Sequence, residues 1–206
     1  MRLPSAPELP DGVFVEDTAL VLDELAVITR PGAASRRPET DSVAAALEPF
    51  RPLQRIGGPG TLDGGDVLRT GRSLFVGLSG RTTREGAAEL ARLVRPAGYE
   101  VQIVPVQGCL HLKSAVTEVG DGTLLINPEW VDPAAFEGFR LIPIDPGEAF
   151  AANALRIGAL LLHAAAFPRT AGRLRAEGFE VREVEADELA KAEGGVTCCS
   201  LLIAAY

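Results

Sequence analysis

The chain has 206 residues, of which 47% are hydrophobic and 23% are charged, with a formal net charge of -8 at pH 7. This length supports one domain with a sizeable core and is short for two. Apolar runs such as 159–162 and 201–206 are too short to span a bilayer, and no signal peptide opens the chain, so we expect a soluble cytoplasmic protein without a membrane partner. The acidic charge without a basic stripe argues against nucleic-acid binding and is compatible with a small cationic substrate.

The predicted elements repeat in a regular order, in which two strands are followed by a helix and a third strand. Strands are predicted at residues 13–22, 25–29, 52–56, 66–69, 73–76, 100–106, 110–119, 123–126, 140–144, 155–162, 179–184 and 198–204. Helices are predicted at residues 41–47, 83–93, after Pro133, at 170–177 and at 186–191. The sequence therefore predicts a ββαβ unit that recurs four times and ends in a fragment.

A polar or reactive side chain lies near the start of each unit, at Asp17, Asp63, His111, Asn153 and Cys198. Consecutive members of this series are 42 to 48 residues apart. A period of this size is typical of a propeller or a solenoid, in which each first strand would bring one residue to a common centre. An ordinary α/β sheet or a ferredoxin-like sheet with accidental spacing is the alternative.

The cysteines and histidines offer one candidate pair for nucleophilic chemistry. Cys109, Cys198 and Cys199 form neither a disulfide framework nor a zinc pattern, so they are buried hydrophobes or include one reactive thiol. Cys198 follows a Gly-Gly turn that a substrate can approach, and Cys199 would point to the opposite face of the predicted strand. A reactive thiolate needs a positive neighbour such as an imidazolium. His111 has the periodic position for this, whereas His163 ends an apolar run and is expected to be structural.

Carboxylates accompany this pair in two motifs. LDGGDV places Asp63 and Asp66 around two glycines, which is also a common turn pattern, and Asp66 is expected to cap the loop. DGVFVED places Asp11, Glu16 and Asp17 around the start of a strand, where they would repel one another unless a cation lies among them. A metal ion or the planar guanidinium group would fit, and a solvated edge strand with protective charges is the alternative.

Six motifs in a fixed order identify a family. They are FVEDTA, ITRPGAASRR, LDGGDVL, VGLSGRT, LHLKS and TCCSLLI, which together extend over nearly the whole chain. In this combination the sequence resembles the dimethylarginine dimethylaminohydrolase (dimethylargininase) family, of the guanidino-group-modifying superfamily. The resemblance implies a five-bladed α/β propeller of ββαβ modules, the pentein fold, as a single catalytic domain over residues 1–206. Family members carry a further strand–helix–strand segment before LPDGVFVED, so we expect the N-terminal module to be incomplete.

The resemblance also implies a role for individual residues. It makes Cys198 the nucleophile, His111 the general acid and base, and Asp63 the carboxylate that orients the histidine and grips the guanidinium group. The implied substrate-binding residues are Asp17 on the guanidinium group, Asp11 and Glu16 around the amino-acid end, Arg36 and Arg81 on the α-carboxylate, and the carbonyl of Ala192 on the α-ammonium group.

The implied reaction converts asymmetric dimethylarginine or monomethylarginine into citrulline and dimethylamine or methylamine. The Cys198 thiolate adds to the guanidinium carbon and His111 protonates the departing amine. Water, deprotonated by His111, then attacks the covalent thiouronium intermediate. The resemblance implies no metal or organic cofactor, although zinc could bind Cys198 and His111 and inhibit.

Other functions are compatible with the same residues. An arginine deiminase or an amidinotransferase would share the thiol, the imidazole and the acids. A truncated, non-catalytic binding protein is a second alternative, and a zinc site built from His111, Cys198 and the acids is a third. An incomplete ring of blades would expose strand edges, so a homodimer is a further expectation.

Overall fold

The computed structural model describes residues 1–203, and over this range the strands form four three-stranded sheets of the same construction. In each sheet the first strand is antiparallel to the second, and the second is parallel to the third. The strands are β1 (Ala19–Val21), β2 (Ala26–Ile28), β3 (Leu53–Arg55), β4 (Val67–Thr70), β5 (Ser73–Leu78), β6 (Glu100–Pro105), β7 (Val116–Gly120), β8 (Thr123–Ile126), β9 (Arg140–Pro143), β10 (Ala154–Ile157), β11 (Leu160–Ala164) and β12 (Glu180–Val184).

Helical segments connect the second and third strands of every sheet, because parallel strands need a crossover. These segments are α1 (Glu39–Leu47), α2 (Arg84–Val94), a 3-10 turn at Pro133–Phe136 and α4 (Pro168–Ala176). Two short helices lie outside this pattern, α3 (Leu112–Ala115) before β7 and α5 (Asp187–Ala190) after β12. No helix within residues 1–203 is both long and apolar enough to cross a membrane. The predicted ββαβ unit is confirmed, although the single strand predicted at residues 155–162 is divided into β10 and β11.

Helix α2 illustrates how the local sequence builds one unit. Its N-cap residue is Thr83, whose side-chain oxygen accepts a hydrogen bond from the N–H of Gly86 at 3.2 Å. Ala87, Leu90 and Val94 recur at helical spacing on one face and are buried in a core shared with β4, β5 and the first sheet. The helix therefore packs against its own sheet and joins it to the preceding one.

The first strands of the four sheets surround a common axis. β1, β4, β7 and β10 line one channel of about 610 Å³, together with residues 200–203. Neighbouring first strands also contact one another, as β4 does with β7 and β7 with β10. The α/β propeller-like arrangement predicted from the period is confirmed. Four blades have a sheet within residues 1–203, and a fifth is not confirmed.

Two first strands begin later than predicted, because a short helical turn precedes each of them. A 3-10 turn at Val15–Thr18 precedes β1, and helix α3 precedes β7, where strands were predicted from residues 13 and 110. A further 3-10 turn at Gly64–Asp66 precedes β4. Short apolar segments such as these have no periodicity that separates a turn of helix from a strand. Each of these helical turns lies at the N-terminal end of a first strand and contains or adjoins a predicted site residue.

The predicted terminal strand at residues 198–204 is wrong for residues 198–203, which form no strand, and Ala204 lies outside the described residues. Leu201 and Ile203 pack instead beside the core of the first sheet. These apolar residues therefore pack beside the first sheet along the central channel and do not pair with a strand. The expected alternation of Cys198 and Cys199 across a strand does not apply.

We expect Leu90→Ala to lower the free energy of unfolding by about 2–5 kcal/mol, because Leu90 is 0% exposed and its truncation leaves a cavity between two sheets. Urea denaturation measures the change. Arg92→Ala on the exposed side of the same helix is the control and should change stability by about 0.5 kcal/mol or less. Equal losses from both variants would contradict the packing described for α2.

Candidate active site

Three predicted site residues from three units lie together at the ends of the first strands. Asp17 comes from the turn before β1, Asp63 from the loop before β4, and His111 from the residue before α3. His111 Nε2 is 3.1 Å from Asp63 Oδ2, and His111 Nδ1 is 3.8 Å from Asp17 Oδ1. All three side chains are buried. The structure thus brings two carboxylates onto opposite nitrogens of one imidazole.

Gly65 makes this approach possible. A Cβ atom at this position would lie 2.6 Å from Asp17 Oδ1 and 2.8 Å from His111 Nδ1, closer than real side chains allow. The N–H of Gly65 also donates to Asp17 Oδ1 at 2.9 Å. The second glycine of the LDGGD motif is therefore required for close contact between a carboxylate and the imidazole, and not for a special turn conformation.

The carboxylates determine the charge of His111. Burial alone would lower its pKa, but the hydrogen bond to Asp63 and the charges of Asp17 and Asp66 outweigh burial and hold the pKa above its ordinary value of 6.5. His163 shows the opposite case, because burial lowers its pKa and its Nε2 lies 2.8 Å from the carbonyl oxygen of Ala151. His111 is the imidazole suited to hold a proton, and His163 has the surroundings of a structural residue.

Asn153 holds the loop that carries Cys198. Its Nδ2 donates to the hydroxyl of Thr197 at 3.0 Å, and its Oδ1 accepts from the N–H of Thr197 at 3.2 Å. The N–H of Gly195 then lies 3.2 Å from Cys198 Sγ. Sequence analysis placed Asn153 in the periodic series without giving it a role. The period was the signal that could have found it, because the same series contains Asp17, Asp63, His111 and Cys198.

Glu16 connects the first, third and last parts of the site. Its Oε1 lies 2.5 Å from Lys113 Nζ, and its Oε2 accepts from the hydroxyl of Thr197 at 2.7 Å. Its N–H donates to the carbonyl oxygen of Cys198 at 3.0 Å. Both carboxylate oxygens, which the resemblance assigns to the substrate, are therefore engaged within the protein. Lys113 was missed by sequence analysis, and its place two residues after His111 was the available signal.

Arg36 is buried among acids. Its Nη1 lies 2.5 Å from Asp17 Oδ2, its Nε and Nη2 bind Glu39, and its Nη2 also donates to the carbonyl oxygen of Phe14 at 2.9 Å. An arginine side chain of the protein thus lies on the carboxylate that the resemblance assigns to the guanidinium group of the substrate. In this arrangement its donors face protein acceptors, where sequence analysis expected a substrate carboxylate.

Arg81 has more freedom than Arg36. Its side chain is half-buried and forms no ion pair within residues 1–203. Its backbone N–H donates to the hydroxyl of Ser79 at 3.0 Å. Its carbonyl packs closely against Gly32, whose own N–H donates to Asp63 Oδ1 at 2.8 Å. The backbone of Arg81 is thereby held next to Asp63 while its guanidinium group is available to a ligand.

The other two predicted substrate contacts lie around this cluster. Asp11 is half-buried, and its carbonyl oxygen accepts a hydrogen bond from Arg36 Nη2 at 3.3 Å. Ala192 is exposed, two residues beyond the end of α5 and before the Gly194–Gly195 turn of the Cys198 loop. Both positions are open to solvent, which a contact to the amino-acid end of a substrate requires.

The thiol of Cys198 is protonated in this arrangement. Burial and the charges of Glu16 and Asp17 raise its pKa to about 12, while the N–H of Gly195 and the charge of Lys113 act in the opposite direction. No hydrogen bond joins Cys198 to His111 in the part of the chain that the structure describes. A positive charge placed beside the carboxylates would counter their effect and favour the thiolate.

The cluster of Asp17, Asp63 and His111 is suited to a cation. One potential ligand atom from each lies within 4.8 Å of the others, so the three could hold a metal ion. The zinc site predicted at Cys198 and His111 would use a different pair, and only His111 belongs to both. Two carboxylates also match the planar, multiple-donor guanidinium group. The chemistry of the cluster is therefore the binding of positive charge next to a thiol.

We expect the pKa of His111 in the folded protein to lie above 6.5 and to fall in Asp63→Asn, because the variant removes the carboxylate that stabilises the imidazolium. Titration of the two histidines by NMR measures both values. His163 is the internal control, with a pKa below 6.5 that Asp63→Asn leaves unchanged. A His111 that titrates at or below 6.5 in the unaltered chain would refute this electrostatic description.

Comparison with known proteins gives relatives that match almost the whole chain, although no family model matches it. A dimethylarginine dimethylaminohydrolase of Pseudomonas aeruginosa is 36% identical over 201 residues, which cover 97% of this chain and 79% of the relative. One of Streptomyces coelicolor is 43% identical over 203 residues, which cover 98% and 78%. Among solved structures, a Cys-to-Ser mutant of the Pseudomonas aeruginosa enzyme complexed with citrulline has a TM-score of 0.91 and 35% identity, covering 95% of this chain and 78% of that one.

Proposed function

This chain belongs to the dimethylarginine dimethylaminohydrolase family, and we propose that it hydrolyses asymmetric dimethylarginine and monomethylarginine to citrulline and dimethylamine or methylamine. The observation that carries the proposal is the buried group of Asp17, Asp63 and His111 next to the loop of Cys198. A relative of the same fold complexed with citrulline supports the proposed product. No cofactor is part of the proposal.

Binding of the substrate prepares the nucleophile. Asp17 and Asp63 hold the cationic guanidinium group flat, with its central carbon facing Cys198. Burial and the charges of Glu16 and Asp17 keep the Cys198 pKa near 12. The positive charge of the bound substrate counters these effects, so the thiol gives its proton to solvent when the substrate is in place. The thiolate then adds to the guanidinium carbon and forms a C–S bond.

His111 moves the protons in both halves of the reaction. Its raised pKa favours the imidazolium form, which gives its proton to dimethylamine as the C–N bond breaks. The neutral imidazole then takes a proton from water, whose oxygen attacks the thiouronium carbon. The C–S bond breaks, Cys198 is released, and citrulline forms. Asp63 orients the imidazole throughout through the 3.1 Å contact to Nε2.

The amino-acid end of the substrate is bound at the edge of the cluster. Arg81 binds the α-carboxylate with its half-buried guanidinium group, and the carbonyl of Ala192 together with Asp11 accepts the α-ammonium group. Arg36 joins Arg81 once the substrate guanidinium replaces it on Asp17, since that exchange frees Nη1. Glu16 supports the site through Lys113 and Thr197.

The proposal includes a single catalytic domain over residues 1–206 and a cytoplasmic location. A homodimer remains a prediction, and size-exclusion chromatography with light scattering tests it. Membership of this family favours methylated arginines over the arginine deiminase and amidinotransferase alternatives. Comparing free arginine with asymmetric dimethylarginine as substrates separates these alternatives directly.

We expect the chain to release citrulline from asymmetric dimethylarginine, and Cys198→Ser to lower this rate by at least about 1,000-fold because it removes the nucleophile. Colorimetric citrulline detection measures the rate. Cys199→Ser is the matched control and should retain activity within about threefold. Turnover that survives Cys198→Ser but not Cys199→Ser would assign the nucleophile to the other cysteine, and folded protein without turnover would reject the proposed function.

We expect Asn153→Ala to lower kcat by about 10- to 100-fold, because the loop that carries Cys198 loses its contacts to Thr197 and the nucleophile is misplaced. Asn127→Ala is the matched control, since Asn127 is also buried and its Nδ2 donates to the carbonyl of Ala149 at 2.9 Å. It should destabilise the fold with kcat within about threefold of the unaltered chain. Similar kcat values for both variants would show that Asn153 does not position the Cys198 loop.

A further inference from the structure

Asp66 is a fully buried carboxylate without an ion pair in the described part of the chain. It is 0% exposed, and its two oxygens accept three hydrogen bonds. Oδ1 accepts from the N–H of Leu112 at 2.9 Å, and Oδ2 accepts from the hydroxyls of Ser79 at 2.6 Å and Thr82 at 2.7 Å. Burying a carboxylate is costly even when it is hydrogen-bonded. The local loop cap expected from the sequence does not account for partners on two distant segments.

Each of these contacts ends next to a different site residue. Leu112 directly follows His111 in the chain. The hydroxyl of Thr82, which donates to Asp66, accepts the N–H of Asp63 at 3.1 Å. The hydroxyl of Ser79 likewise accepts the N–H of Arg81 at 3.0 Å. One carboxylate thus connects the backbones of the proton donor, its orienting acid and the proposed carboxylate-binding arginine.

We propose that Asp66 is a positioning residue that fixes His111, Asp63 and Arg81 relative to one another through Leu112, Thr82 and Ser79. The inference rests on the proposed function for the roles of these three residues. Burial raises the pKa of the Asp66 carboxyl, while the charge of His111 and the three hydrogen bonds act in the opposite direction. The physical basis of the proposal is geometric, because one buried group accepts hydrogen bonds from donors on separate segments of the site. A shared acceptor also converts three separate loops into one rigid unit.

The surroundings of Asp66 are shaped for these contacts. A Cβ atom on Gly77 would lie 2.7 Å from Leu112 Cβ and 3.0 Å from Asp66 Oδ1, so only glycine leaves room for Leu112 to reach the carboxylate. The charge of Asp66 also contributes to the raised pKa of His111. Asp66 therefore acts on His111 through backbone position and through charge, without touching the substrate.

The connections can be removed one at a time. Thr82→Val removes the link between Asp66 and Asp63. It should lower kcat for citrulline release by about 10-fold, with KM within about threefold of the unaltered chain. Ser79→Ala removes the link between Asp66 and Arg81. It should raise KM by about 10-fold, with kcat within about threefold of the unaltered chain. Asp66→Asn weakens all three connections and should lower kcat/KM by about 100-fold. Thr170→Val is the control, because the buried Thr170 hydroxyl accepts the N–H of Asp145, which belongs to no proposed site.

A second measurement does not depend on turnover. The chain contains only two histidines, so the imidazole NMR signals of His111 and His163 are assigned with one variant of each. We expect the His111 signals to shift in Asp66→Asn and in Thr82→Val, and to stay in place in Ser79→Ala and Thr170→Val. The His163 signals should not move in any variant. If Asp66→Asn does not fold, the two hydroxyl variants carry the test.

The outcomes separate this inference from the proposed function. Opposite effects of Thr82→Val and Ser79→Ala on kcat and KM, with a shifted His111, support the positioning role. Equal effects of the two variants on both constants, or unshifted His111 signals in Asp66→Asn and Thr82→Val, overturn it. Folded, unaltered protein that releases no citrulline rejects the proposed function. The imidazole signals then decide by themselves whether Asp66 sets the geometry of the cluster.

Discussion

The structure of the site at the inner ends of the blades depends on how the buried carboxylates are compensated. Five buried carboxylates lie around the site, and each would be costly to bury without a partner. Arg36 is the partner of both Asp17 and Glu39. Lys113 is the partner of Glu16, His111 that of Asp63, and two hydroxyls with a backbone N–H are those of Asp66. Several of these partners come from another ββαβ unit. Part of the charge compensation therefore also joins neighbouring units.

Apolar packing supplies the remainder of the scaffold. The larger buried clusters each combine side chains from two neighbouring units, so each sheet is stabilised by the next one around the axis. The first strands supply residues both to these clusters and to the lining of the central channel. Residues at their ends are then free to serve chemistry.

The sequence predicts the architecture better than it predicts the contacts. The repeat is visible because each unit needs its own apolar strands and turns, and the periodic series brought Asp17, Asp63 and His111 together correctly. The turns before β1 and β7 were missed because their apolar residues suit a strand equally well. Partners of Asn153 and Lys113, and the N–H of Leu112 that binds Asp66, lie in other units, and no local pattern encodes them. The burial of Arg36 against Asp17 depends on the tertiary fold of the first unit, which the sequence pattern does not show.

The protonated state of Cys198 has a consequence for inhibition and for oxidative damage. Peroxides and most electrophiles react with thiolates, so a thiol with a pKa near 12 is largely inert toward them at neutral pH. Burial and the nearby carboxylates suppress its ionisation, and the carboxylates also attract cations. Covalent inhibitors of this site should therefore carry a positive charge close to the electrophilic atom. Neutral reagents would leave the thiol protonated and unreactive. Selectivity against other cellular thiols would follow from that charge requirement more than from the shape of the inhibitor.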